Sequence, residues 1–67
     1  MSEEGKFLVF CMECYRAEKD LTGREVSELF AKYGVSDYVM QYFDSLHTTG
    51  VKYIVADIAD FIRSRVA

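Results

Sequence analysis

Hydrophobic and polar positions recur along this chain with a spacing typical of helices. In residues 4–19 an apolar stripe of period 3.6 is formed by Phe7, Phe10, Cys11, Cys14 and Tyr15. Leu8, Val9 and Met12 extend apolar character to most other sides, so we expect this helix to be either central or half of an interface. The run KFLVF would also suit a strand, but its length and the helix-favouring ECYRAEK that follows favour a helix.

A capping box marks the start of a second helix. In Thr22-Gly23-Arg24-Glu25 the Thr22 hydroxyl can accept from first-turn amides while Glu25 reaches back to the cap. Gly34 is expected to end the helix in the left-handed conformation, which a Cβ disfavours. The predicted inward face consists of Val26, Leu29, Phe30 and Tyr33.

The third predicted helix begins with Ser36 as its cap and ends in the loop His47-Thr48-Thr49-Gly50. Its predicted buried positions are Val39, Met40, Phe43 and Leu46, with Tyr38 and Tyr42 alongside. His47, in the last turn, is expected to bond free carbonyls and to gain from the helix dipole when charged. An alternative is a ligand or proton carrier beside loop hydroxyls and amides that could hold a small anion.

The last segment, VKYIVADIADFIRSRVA, changes character midway. Val51 to Val55 is β-branched enough to predict a short strand or extended approach, residues 51–55, before a helix that Asp57 caps. The inward residues of that helix are predicted to be Ile58, Phe61, Ile62 and Val66. The predicted fold class is therefore all-α, a compact bundle of about four short helices forming a single small domain over residues 1–67.

Composition adds an expectation of self-association. Folding of a 67-residue chain removes only about 60% of its unfolded surface from water, yet 51% of the residues are apolar and ten are Phe or Tyr. A homodimer is therefore expected. No tract approaches the roughly 18 apolar residues that cross a bilayer, and the start MSEEGK is acidic where a secretory signal is basic. We therefore expect a cytoplasmic protein that does not bind membranes.

Residues 34–43, GVSDYVMQYF, resemble the turn and second helix of a helix-turn-helix, so the second and third helices form a helix-turn-helix-like central pair. The crossing position is Phe30, which is large for a tight approach. Neither Lys nor Arg occurs between Lys32 and Lys52, and the net charge is -3, so phosphate would be repelled. The sequence favours a protein partner over nucleic acid, with a small DNA-binding regulator as the alternative.

The residues that could carry chemistry predict no enzyme and no cofactor. Cys11 and Cys14 lie one helical turn apart and are expected to be small buried hydrophobes. A zinc site would need two more ligands, and with His47 as the only histidine it would have to borrow from a second subunit. Asp57 and Asp60 are expected to complement a helix N-terminus. A catalytic or metal-binding role for this pair would need a histidine or a third carboxylate, and none is predicted nearby. No catalytic or metal residue is predicted.

Three stretches carry a resemblance to a known family. They are FCMECY, then LTGREVSELFAKYGVSDYVMQYFDSLHTTG, then YIVADIADFI, together spanning roughly residues 7 to 62, and LHTTG followed by YIVADI is the most specific part. This order resembles the small bacterial proteins grouped as domain of unknown function 3791. The resemblance implies a small standalone bacterial protein with no established activity. Family members are often encoded beside ADP-ribosyltransferase-like proteins of toxin modules, which implies an antitoxin or accessory partner.

The leading hypothesis from sequence is a non-enzymatic protein-protein interaction module. Exposed tyrosines and few lysines are typical of interface cores. The predicted contact points on a protein partner or a second copy are Tyr38, Tyr42, Leu8, Met12 and Tyr15.

Overall fold

The computed structural model describes residues 2–66, which form five helices and no strand. These are α1 (Glu3–Lys19), α2 (Gly23–Tyr33), α3 (Val35–Gln41), α4 (Phe43–Leu46) and α5 (Val51–Val66). The all-α prediction is confirmed. The third predicted helix is divided at Tyr42 into α3 and the single turn α4, which is why about four helices were predicted and five are present.

Local signals explain where α1 and α2 begin and end. Ser2 caps α1 by accepting from the Gly5 amide at 3.1 Å. Both halves of the capping box of α2 are present, with the Glu25 amide donating to the Thr22 hydroxyl at 3.1 Å and the Thr22 amide donating to the Glu25 carboxylate at 2.9 Å. Gly34 ends α2 at φ 69°, in the predicted left-handed conformation.

The start of α3 differs from the prediction. Gly34, not Ser36, is the cap, and no side chain accepts from the first turn of α3. The chain turns within this one residue, so that Val35 enters the core with no exposed surface. Burial of Val35, which was not predicted, has therefore displaced the expected serine cap.

The predicted strand or extended segment at 51–55 is wrong, because α5 is helical from Val51 onward. The amides of Tyr53 and Ile54 both donate to the Gly50 carbonyl at 3.1 Å, closing the first turn. Helical spacing places Ile54 on the same face as Ile58 and Ile62, and all three are buried. This burial outweighs the weak β preference of the segment, and Asp57 consequently lies inside α5 rather than at its cap.

Helix α1 is the centre of the packing, since it contacts α2, α3 and α5. These three neighbours explain much of its apolar character, although Val9 and Phe10 of α1 remain exposed. The core contains residues from all three and from α1, namely Cys11, Tyr15, Val26, Phe30, Val35, Val39, Ile54, Val55, Ile58 and Ile62. Two residues predicted to be buried are exposed instead, Met40 at 41% and Val66 at 64%.

Candidate functional site

A cleft of about 330 Å³ lies where α3, α4 and the start of α5 meet. Its walls are aromatic and its polar groups are hydroxyls and one carboxylate. The lining residues are Tyr38, Tyr42, Ser45, Leu46, Thr49, Tyr53 and Asp57. Three of the five tyrosines of the chain therefore surround one cleft.

A short hydrogen bond connects α3 to α5 at this cleft. The Tyr38 hydroxyl donates to Oδ2 of Asp57 at 2.6 Å, between residues that are 19 positions apart in the chain. Burial, followed by this hydrogen bond and the negative charge of Asp57, raises the pKa of Tyr38 to about 12. Tyr38 is consequently a neutral donor at ordinary pH, with its hydrogen committed to the carboxylate.

The ring of Tyr38 is also held by its neighbours. It stacks on Phe61 of α5, with ring centroids 4.1 Å apart and planes inclined by 20°. Its second aromatic neighbour is Tyr42, whose ring centroid lies 5.0 Å away with the planes inclined by 49°. The guanidinium of Arg65 lies 5.0 Å from the centre of the Phe61 ring, so a cation, three aromatic rings and the cleft follow one another.

The other two tyrosines of the cleft, Tyr42 and Tyr53, form its rim and face water. Tyr53 is 75% exposed and Tyr42 is 45% exposed. The neighbouring Val51 is exposed as well. These exposed aromatic side chains keep apolar surface area in contact with water, and a bound partner would bury that area.

The loop after α4 directs its hydroxyl hydrogens toward the backbone. The Thr49 hydroxyl donates to the Leu46 carbonyl at 2.7 Å, and the Thr48 hydroxyl donates to the Ser45 carbonyl at 3.0 Å. The Leu46 carbonyl also accepts from the Thr49 amide at 3.0 Å, so Thr49 binds the end of the short helix through both its amide and its hydroxyl. The loop is thereby fixed at the edge of the cleft.

His47 bonds a carbonyl at the helix end as predicted, although that carbonyl also accepts the His47 amide at 2.9 Å. Its Nδ1 lies 2.6 Å from the Phe43 carbonyl, and its ring stacks on that of Phe43 at 4.5 Å and 7°. The ring is thus held at the end of α4, on the side of the loop where Phe7 also packs against Phe43 at 5.4 Å. The Cys pair lies elsewhere, in α1.

The two cysteines are free thiols in different environments. Cys11 is fully buried, and burial followed by the neighbouring Cys14 raises its pKa to about 12. Burial and then Glu13 also raise the pKa of the half-buried Cys14. Thiols of this kind are poor nucleophiles at neutral pH because little thiolate is present. Within residues 2–66 no group of three or more His, Cys, Asp or Glu side chains is arranged to hold a metal.

The structure distributes the predicted contact residues between two locations. Tyr38 and Tyr42 lie together in the cleft. Leu8 and Met12 are partly buried against the core, and Tyr15 is 7% exposed with its ring 5.9 Å from that of Phe30. No residue of α1 lines the cleft.

Sequence reasoning missed Tyr53 and Asp57. Both lie in the segment where a strand followed by a helix cap was predicted, and that prediction does not place them on the same face. A helix predicted from Val51 onward would have placed Tyr53 and Asp57 side by side, because residues four apart are neighbours on a helix. The Tyr38 partner of Asp57 lies in another helix, and no local pattern indicates that pairing.

The comparison with known families agrees with the resemblance seen in the sequence. A family model described as protein of unknown function (DUF3791) matches residues 6–65. The chain therefore belongs to this family. Neither a curated protein nor a solved structure matches it. Over the described residues, no helix has the length and apolar character required to span a bilayer.

Proposed function

We propose that this protein is a non-enzymatic protein-protein interaction module, an antitoxin-like or accessory component, that binds its partner through the cleft between α3, α4 and α5. One observation carries the proposal. Three tyrosines surround the cleft, of which Tyr42 and Tyr53 present large exposed areas while Tyr38 is fixed by Asp57.

Tyrosine is well suited to such a role. It supplies a large contact area with few rotatable bonds and carries a hydroxyl that tolerates both water and burial. Tyr38 is already held by a hydrogen bond and by stacking, so binding at its edge requires little further ordering. The fixed ring of Tyr38 and the exposed rings of Tyr42 and Tyr53 together support a docking surface.

The electrostatics of the cleft support binding rather than catalysis. An acid or base that transfers protons efficiently has a pKa near the working pH. The pKa of Tyr38 is raised to about 12, which makes its hydroxyl a structural donor and a poor base or nucleophile precursor. The other polar lining groups are alcohol and phenol hydroxyls, apart from Asp57, which accepts the Tyr38 hydrogen.

The surface of α3 supports a protein partner over DNA. The exposed residues of this seven-residue helix are Asp37, Met40 and Gln41, and residues 33–51 contain no Lys or Arg. A DNA-reading helix depends on cations that release counterions from phosphates. Duplex binding that weakens steeply with added salt would instead support the helix-turn-helix regulator.

Site-specific photocrosslinking in the native host tests the proposal. A benzoyl-phenylalanine at Tyr53 keeps an aromatic ring in the cleft, and the same group at the exposed Arg24 of α2 is the matched control. We expect a discrete adduct from position 53 and none from position 24. An adduct of twice the mass of the chain would identify the partner as a second copy, in agreement with the expected homodimer.

Two outcomes would contradict the proposal. One is the absence of any adduct at position 53 in cells that contain the folded protein. The other is the same set of adducts from positions 53 and 24, which would indicate random encounter rather than a docking surface.

A further inference from the structure

Building on the proposed function, we infer that the cleft receives the guanidinium group of an arginine side chain from the partner protein. The inference rests on three features of the cleft: the direction of its hydroxyl hydrogens, the arrangement of its aromatic rings, and the sign of its charge.

Two of the five hydroxyls that line the cleft have already donated their hydrogens elsewhere. The Tyr38 hydrogen is committed to Asp57, and the Thr49 hydrogen is committed to the Leu46 carbonyl. Their oxygens therefore offer lone pairs only, beside a carboxylate that has further acceptor capacity once Oδ2 has received one hydrogen bond. A ligand that brings several donors can satisfy these acceptors together.

The aromatic rings favour a cation among possible donors. A positive group over the face of a tyrosine is attracted by the electrons of the ring, and Arg adds stacking of its planar group. The chain contains one example of this contact in the same aromatic row, where Arg65 lies over Phe61 and Phe61 stacks on Tyr38. Tyr38 in turn contacts the half-exposed Tyr42, which lines the cleft.

The local charge is negative. None of the lining residues is Lys or Arg, and Asp57 is the charged member of the set. Between Tyr33 and Val51 the charged side chains are Asp37 and Asp44. A cation entering the cleft thus meets attraction from the carboxylate and no cation in its walls.

Arginine fits this lining better than lysine. A guanidinium has five donors in one plane, so it can lie flat on a tyrosine ring while its edge donates to Asp57 and to the hydroxyl oxygens. It is also less strongly hydrated than an ammonium group, which reduces the cost of entering a cleft with apolar walls.

A titration of the ¹⁵N-labelled full chain with N-acetyl-arginine amide tests the inference by NMR. We expect saturable shifts that cluster at the amides of Tyr38, Tyr42, Thr49, Tyr53 and Asp57. The citrulline analogue has the same shape without the charge and should bind at least five-fold more weakly. The lysine analogue should bind more weakly than arginine, because it cannot combine stacking with several coplanar donors.

Two matched variants test whether the charge of Asp57 is the one that attracts arginine. Asp57→Asn removes the charge while its amide oxygen can still accept from Tyr38, and it should weaken arginine binding about five-fold. Asp60→Asn removes the same charge from an exposed residue of α5 that pairs with Arg63 and does not line the cleft. It should leave the arginine affinity unchanged.

Several results would overturn the inference. They are equal binding of arginine and citrulline, equal binding of arginine and lysine, shifts scattered over the surface, and an equal effect of the Asp57 and Asp60 substitutions. If crosslinking at Tyr53 succeeds while any of these is observed, the cleft binds a partner by other chemistry. If crosslinking also fails, the interaction surface itself is wrong.

Discussion

The hydrogen bond between Tyr38 and Asp57 joins α3 to α5, and its removal should cost measurable stability. Tyr38→Phe deletes the hydroxyl and preserves the ring, so the 4.1 Å stack on Phe61 is retained. A hydrogen bond to a charged acceptor contributes about 1.5–3 kcal/mol when well shielded. Because this one is partly exposed to water, we expect about 1–1.5 kcal/mol for the pair.

A double-mutant cycle isolates that contribution. Asp57→Ala removes the acceptor but also improves helix propensity within α5 by up to about 0.7 kcal/mol, so either single variant alone is an imperfect measure. The cycle of Tyr38→Phe, Asp57→Ala and the double variant cancels such effects. The assay is urea denaturation followed by circular dichroism. For a domain of this size, Tyr38→Phe should also lower Tm by roughly 4–8 °C for each kcal/mol lost.

A coupling energy below about 0.3 kcal/mol, which is within the usual error of additivity, would show that this bond contributes no measurable stability. A Tyr38→Phe variant more stable than the parent chain would contradict the expected loss as well. That result would mean that burying the hydroxyl and the carboxylate costs more free energy than their hydrogen bond contributes.

Two further predictions concern alkaline pH and a glycine. Because the pKa of Tyr38 is raised to about 12, the folded state keeps a proton that the unfolded state loses from about pH 10, so stability should fall as pH rises from 10 to 12. Urea midpoints across that range should fall less steeply for Tyr38→Phe, and an unchanged slope would contradict the assignment. Gly34→Ala forces a Cβ into φ 69° and should cost about 1–2 kcal/mol in chemical denaturation. Gly23→Ala, in the open first turn of α2, should be neutral or stabilising, and equal losses at both sites would argue against backbone strain at Gly34.

Sequence patterns were reliable where the determining interaction is local. The capping box of Thr22 and Glu25 and the left-handed Gly34 depend on residues three or four apart, and both were predicted correctly. His47 was predicted to bond a helix-end carbonyl for the same reason. Periodicity likewise identified α1 and α2 and all four of their buried residues.

Predictions failed where packing between distant segments decides the outcome. The β-branched stretch from Val51 to Val55 favours a strand by composition, yet Ile54 and Val55 reach the core only as parts of a helix. The cleft depends on the same fact, because Tyr53 and Asp57 come together only when that stretch is helical. The bond from Tyr38 to Asp57 crosses between helices, and no periodicity reveals it.

The contact between α1 and α5 has a consequence for how the chain folds during synthesis. Four buried residues of α5, namely Ile54, Val55, Ile58 and Ile62, complete a core whose other members precede them in the chain. While the ribosome still holds α5 inside its exit tunnel, the apolar faces of α1, α2 and α3 lack one of their walls. The nascent polypeptide therefore emerges with the α5-facing side of its first helix exposed, and its core is completed only after α5 has left the tunnel.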